Sequence, residues 1–194
     1  LASWAIAEVC ARTLFEHGQA ASRAVVANVC DDSLERVVEA NTLLSGIGFE
    51  SGGLALAHPL ALAFTQIDAV HHKYLHGEMV AMGTVIQLAL EQSEEAEDVT
   101  RFFARIGLPT HMAQLSLSLD DTTALDTIIE SALKNKNAHH MPIPVTANSL
   151  LDAILSANEL GKKVALEIGD EVELLKEAAI LATLRHPNTC LLYT

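Results

Sequence analysis

Apolar residues recur every three or four positions through the first fifteen residues, where Ile6, Val9, Cys10 and Leu14 share one helix face. His17-Gly18 predicts a break, and a second helical stretch continues to about Cys30. Asp32 then stands where an N-cap would, with Glu35 three residues on as its partner in a capping box. Leu34, Val37, Val38 and Leu44 carry that helix to about Ser45 as one apolar face. Residues 54–64 read as a buried helix in which Pro59 is tolerable in the first turn or at a kink. The polar stretch 68–75 reads as a loop, and residues 77–90 as helix again. Ser93, with Glu94 and Glu95 after it, caps the next helix, which Arg105, Gly107 and Pro109 bring to a stop. Two more helices are predicted over 121–133, with Leu125, Ile128, Ile129 and Leu133 on one face, and over 146–160. A loop over 134–144 joins them, and no fixed-period repeat is present.

One segment breaks the pattern. Ser45-Gly46-Ile47-Gly48-Phe49-Glu50-Ser51-Gly52-Gly53 is too Gly-rich for a helix chosen on propensity alone, since each interior Gly costs about 1 kcal/mol relative to Ala. Either a turn or tight helix packing needs those glycines, or a ligand approaches the backbone there.

Half of the 194 residues are hydrophobic, enough for a real core, and only 4% are aromatic. An Ala/Leu-rich composition of this kind favours helices over sheets, so the expected fold is all-α. The formal net charge of -13 offers no basic footprint for phosphates, which disfavours nucleic acid and anionic membrane surfaces as partners. A small molecule or a protein fits better. Cys10, Cys30 and Cys190 are an odd number with no close pair, against a disulfide framework and against a Cys-rich zinc site, so a reducing cytoplasm is expected. The longest uncharged run, between Glu50 and Asp68, falls short of the roughly 20 apolar residues of a membrane span. Leu1 is not an initiator Met and no signal peptide follows it, so the chain is expected to begin inside a longer protein.

Nine histidines invite a metal, yet none form the i, i+4 pair of a HExxH helix. His71-His72 and His139-His140 lie in polar stretches and read as solvated. His58 is more informative, because an imidazole inside an Ala/Leu-rich helix needs a hydrogen-bond partner or a metal to offset desolvation. His76 precedes Gly77-Glu78 at an expected helix start, a position compatible with ligation. No Ser or Cys sits in a nucleophile elbow, and the Gly-rich segment lacks the Lys and the preceding strand of a phosphate loop.

The run Leu34-Glu35-Arg36-Val37, Glu39-Ala40-Asn41, then Ser45 through Ala55 and Ala57-His58 closely resembles the glycerol dehydrogenases of the iron-containing alcohol dehydrogenase superfamily. The resemblance continues through His71-His72, His76-Gly77-Glu78, Val80-Ala81, Gly83-Thr84, Gln87-Leu88, Gly107-Leu108-Pro109 and Ala113-Gln114-Leu115, and covers about residues 1–160. It implies a helical C-terminal domain that supplies metal ligands, partnered by an α/β domain that binds NAD, with the active site in the cleft between. By motif, His58 and His76 match the family's two zinc-ligand histidines and Phe49 a residue of its substrate pocket, while the family's Asp ligand falls upstream of Leu1. The implied reaction is NAD-linked oxidation of glycerol to dihydroxyacetone in a homo-oligomeric enzyme, with this piece inactive alone. A dehydroquinate synthase-like lyase shares the two-domain plan, and a noncatalytic helical interaction module is the remaining alternative.

Two stretches depart from the family pattern: Ala61, Leu62 and Ala63 stand where a second His and Asn-Gly are usual, and Met79 replaces a Lys. Past Gly161 the resemblance fades, leaving residues 161–194 as a tail without a clear family match. Leu184-Arg185-His186-Pro187-Asn188 faintly resembles a protein-kinase lobe, but Glu167 stands where a kinase needs Lys. Cys190-Leu191-Leu192-Tyr193-Thr194 resembles a translated transposon end, so the C-terminus is expected to be non-native.

Overall fold

The computed structural model describes residues 2–184, with side chains as far as Glu171; the kinase-like and transposon-like segments lie outside these apart from Leu184. Every regular element among the described residues is helical, as the composition requires. Helix α1 (Ala2–Val26) leads to α2 (Asp32–Glu39), which runs through a π-helical turn (Ala40–Leu44) directly into α3 (Ser45–Gly52). Then come α4 (Ala57–Phe64), the single turn α5 (Asp68–His71), α6 (His76–Glu91), α7 (Ala96–Arg105), α8 (Thr122–Lys134) and α9 (Ala147–Leu184). Short 3-10 turns occupy Met112–Leu115 and Lys136–His139.

The core forms where α4, α6, α8 and α9 meet, with Leu60, Phe64, Met82, Ile86, Ile128 and Ile154 fully buried. Each such side chain contributes about 1.5–3 kcal/mol through burial, which is what fixes these four helices to one another. The first three helices pack mainly on each other and bury only Ala21, Ala24 and Ala40. Helix α1 also reaches α7, where the Phe15 and Phe102 rings lie 4.7 Å apart.

Several local expectations hold for the reasons given. Pro59 sits in the first turn of α4 and Gly107 ends α7 with φ +82°, while Asp121, placed inside α8 by its pattern, caps that helix by accepting from the Ala124 N–H at 3.0 Å. Others are corrected. His17-Gly18 does not break α1; Gly18 keeps the helix and leaves room for Phe102, whose Cζ would lie 2.8 Å from an added Cβ. The cap of α2 is Asp31, which accepts from the Leu34 N–H at 2.9 Å, while Asp32 is inside the helix and pairs with Arg36 at 2.8 Å. The Gly-rich segment is helical after all, because it propagates from α2 and so needs no nucleus of its own. The stretch 68–75 contains α5 rather than loop alone.

Helix α9 does not end near residue 160 but passes through Gly161 unbroken. The reason is a close approach: Gly161 lies against the Thr110 backbone, whose carbonyl carbon would be 2.5 Å from an added Cβ. Buried Asn158 accepts from the Met112 N–H at 3.1 Å on the same seam. Beyond it, Lys163 pairs with Glu97, and Arg101 donates to Glu167 at the centre of a small ion network that includes Glu171 and Arg105. Glu167, the residue that breaks the kinase pattern, therefore has a packing role.

Candidate functional site

An open cleft of about 720 Å³ lies between α1 and α3, and its lining includes Trp4, Cys10, Gly48, Phe49 and His58. Phe49 is half exposed, at 51%, and Gly48 and Gly52 present bare backbone beside it. The π-helical turn sets this register: it adds a residue ahead of α3, and π insertions recur at functional sites. Cys10 donates to the Ala40 carbonyl at 3.5 Å, and burial pushes its thiol pKa up, which favours the thiol over the thiolate.

His58 is the second residue of α4 and His76 the first of α6, and packing of these helices sets the two rings 5.7 Å apart with a 52° tilt. His58 is half-buried and lines the cleft, whereas His76 is exposed and is not part of the cleft lining. Burial, and then the neighbouring His76 ring, hold the His58 pKa below its ordinary value, which favours the neutral imidazole. Glu78 fixes the start of α6 by accepting from the Leu75 N–H at 2.6 Å.

Whether a zinc ion suits this pair can be tested on the separation. Two ring nitrogens at about 2.0–2.1 Å from one tetrahedral ion place their ring centroids roughly 5 Å apart, close to the 5.7 Å observed. The donor set fits as far as it goes, since neutral imidazoles are good zinc ligands. Among the described residues no group of three His, Cys, Asp or Glu side chains comes together, so a third protein ligand is not supplied by them.

The other histidine pairs are surface groups. His71 and His139 use ring nitrogens on the Thr65 and Leu133 carbonyls, and all four rings are exposed. Ala61 and Ala63, where the family pattern has His and Gly, are fully buried core, Leu62, where it has Asn, is half exposed, and Met79 is buried. Three residues that touch the site carried no functional assignment from the sequence: Trp4 and Cys10 are brought there by the path of α1, and Gln87 by tertiary contact.

No protein-family model matches the chain. It is 43% identical over 166 residues to the glycerol dehydrogenase of Citrobacter freundii, covering 84% of this chain and 45% of that one. The chain is homologous to part of a glycerol dehydrogenase. A glycolaldehyde reductase of Halobacterium salinarum is 41% identical over 82% of the chain. Among solved structures, a probable glycerol dehydrogenase from Sinorhizobium meliloti 1021 superposes with a TM-score of 0.79 and 36% identity, over 83% of this chain and 46% of that one. The fold described above is thus that of the helical C-terminal domain of the glycerol dehydrogenases, and the chain spans about half the length of the curated relatives it matches. Among the described residues no single helix is long and apolar enough to cross a membrane.

Proposed function

We propose that this chain is the metal- and substrate-holding part of a cytoplasmic, NAD-linked oxidoreductase that converts glycerol to dihydroxyacetone, with residues 1–160 as its family-related unit. The observation that carries the reading is the His58–His76 pair, 5.7 Å apart, beside a cleft that Phe49 lines, in a chain homologous to glycerol dehydrogenases. His58 and His76 would hold zinc, and a third ligand would come from the part of the relatives' length that this chain does not span. Zinc held there supplies Lewis acidity, which eases loss of a proton from an alcohol hydroxyl.

The chain's own residues do the rest by placement. Burial favours the neutral His58 ring, whose lone pair can then face a metal. Phe49 gives the carbon skeleton of a three-carbon polyol an apolar wall, and Gly48 and Gly52 let it approach the α3 backbone. NAD would be bound mainly outside this chain, across the cleft, so that hydride transfer takes place between the two parts.

Zinc titration of the chain against His58→Ala and His76→Ala, repeated in a protein extended by the missing portion, tests the site. Each substitution should weaken zinc at least tenfold in the extended protein and abolish glycerol oxidation, while residues 1–194 alone show no turnover. Undiminished zinc binding in both variants would refute the assignment. The 41% identical glycolaldehyde reductase favours a second substrate reading, reduction of a two-carbon hydroxyaldehyde, and comparing kcat/KM for glycerol and glycolaldehyde decides between them.

A further inference from the structure

Helix α4 starts without a side-chain cap of its own, since the Leu56 side chain has no hydrogen-bond acceptor. Its first N–H, on Ala57, is instead satisfied from another helix: Gln87 of α6 accepts from it at 3.0 Å. The Gln87 amide is itself oriented, because its Nε2 donates to Glu91 at 3.2 Å. One turn earlier on α6, buried Gly83 lies against the carbonyl side of the same residue; an added Cβ would be 3.1 Å from the Ala57 Cα and carbonyl carbon and closer still to its oxygen. Helix α6 thus grips Ala57 at both its N–H and its C=O. His58 is the next residue.

His76 begins α6, and positions 76, 83 and 87 follow one another at seven and then four residues, so all three fall on one face of that helix. The helix that carries one imidazole therefore also locates the other. We infer that Gln87, aided by Gly83, is a positioning residue that sets the His58 ring relative to His76 through the Ala57 backbone. The inference rests on the reading of His58 and His76 as a metal pair. Loss of the Gln87 acceptor leaves α4 free to shift at its first turn, and a two-imidazole site has no further protein ligand among the described residues to absorb the misplacement.

The test is zinc titration of the full chain, followed by the imidazole NMR signals of His58 and His76. The variants are Gln87→Met, which keeps the volume and removes the acceptor, and the pair Gln87→Glu with Glu91→Gln, which keeps an acceptor for Ala57 and a donor toward it without changing net charge. Gln87→Met should weaken zinc by about three- to tenfold, the size of one hydrogen bond, and displace the metal-free His58 signals, while the double variant returns both to within about twofold of wild type. Wild-type affinity in Gln87→Met, with His58→Ala still weakened, overturns the role of Gln87. Wild-type affinity in His58→Ala and His76→Ala sinks the metal reading itself. Should Gln87→Met not fold, the wild-type chain decides by reciprocity: zinc must slow hydrogen exchange at the Ala57 amide by a comparable factor, and unchanged exchange there overturns the inference.

Discussion

Two glycines of α9 should respond in opposite directions to the same change. At Gly161 an added methyl would sit 2.5 Å from the Thr110 carbonyl carbon and 3.2 Å from the His111 Cβ, where ordinary contacts are 3.4–4 Å. The carbonyl oxygen lies nearer still and belongs to backbone, so relief requires α9 and the 109–112 turn to part by more than about 1 Å, an overpacking that costs about 1–3 kcal/mol. The same movement stretches the buried Met112 N–H bond to Asn158, at a further cost of about 1–3 kcal/mol, against which the helix preference of Ala returns roughly 1 kcal/mol. Gly161→Ala should therefore destabilise by about 1–5 kcal/mol. Gly169, exposed and with nothing within 4 Å, has only the propensity gain, so Gly169→Ala should stabilise by about 0.5–1 kcal/mol. Urea unfolding with a common m-value measures both. Equal stability of the two variants would mean that α9 does not lie against the Thr110 turn, and that the chain after residue 160 is not anchored there.

Burial, and then Lys162, lower the His111 pKa in the fold, and its Nδ1 is buried without a partner. Folding thus favours the neutral ring: the stabilisation is complete above the unfolded value of about 6.5 and is lost as pH falls through the lowered folded value. His111→Gln should flatten the fall in stability between neutral pH and about pH 5, measured by urea unfolding; parallel curves for both proteins would contradict this. Arg101 bridges Glu97 and Glu167 at 3.0 and 2.6 Å, so Arg101→Met should destabilise the fold at low salt and less at high salt, measured by urea unfolding. A loss that does not change with salt would assign the effect to packing of the Arg101 stem instead.

The helices were legible where one face carries the burial, as in α8, whose Leu125, Ile128 and Ile129 form a complete stripe. They were misread where tertiary contact overrides local preference. Gly18 reads as a stop until Phe102 is placed over it, and Gly161 looks unremarkable until Thr110 lies against it. The glycines of α3 lower its intrinsic helicity, yet the helix arrives there already formed from α2. Of the site, His58, His76 and Phe49 came from motif matching, and their neighbourhood in space needed the α4–α6 packing. Gln87 carries no signal in any spacing rule, since its partner Ala57 is thirty residues away.

The π-helical turn over Ala40–Leu44 makes the length of this stretch as consequential as its composition. Deleting a single residue there would let the backbone close into an ordinary α-helix with every hydrogen bond kept, so the chain would have a ready way to tolerate the loss. Each residue beyond the deletion would nevertheless turn by about 100° about the helix axis, carrying Phe49 and Gly48 away from α1. A frame-preserving change that damages no contact in the core could in this way erase the cleft, and the count of residues between Glu39 and Ser45 is part of what the site is made of.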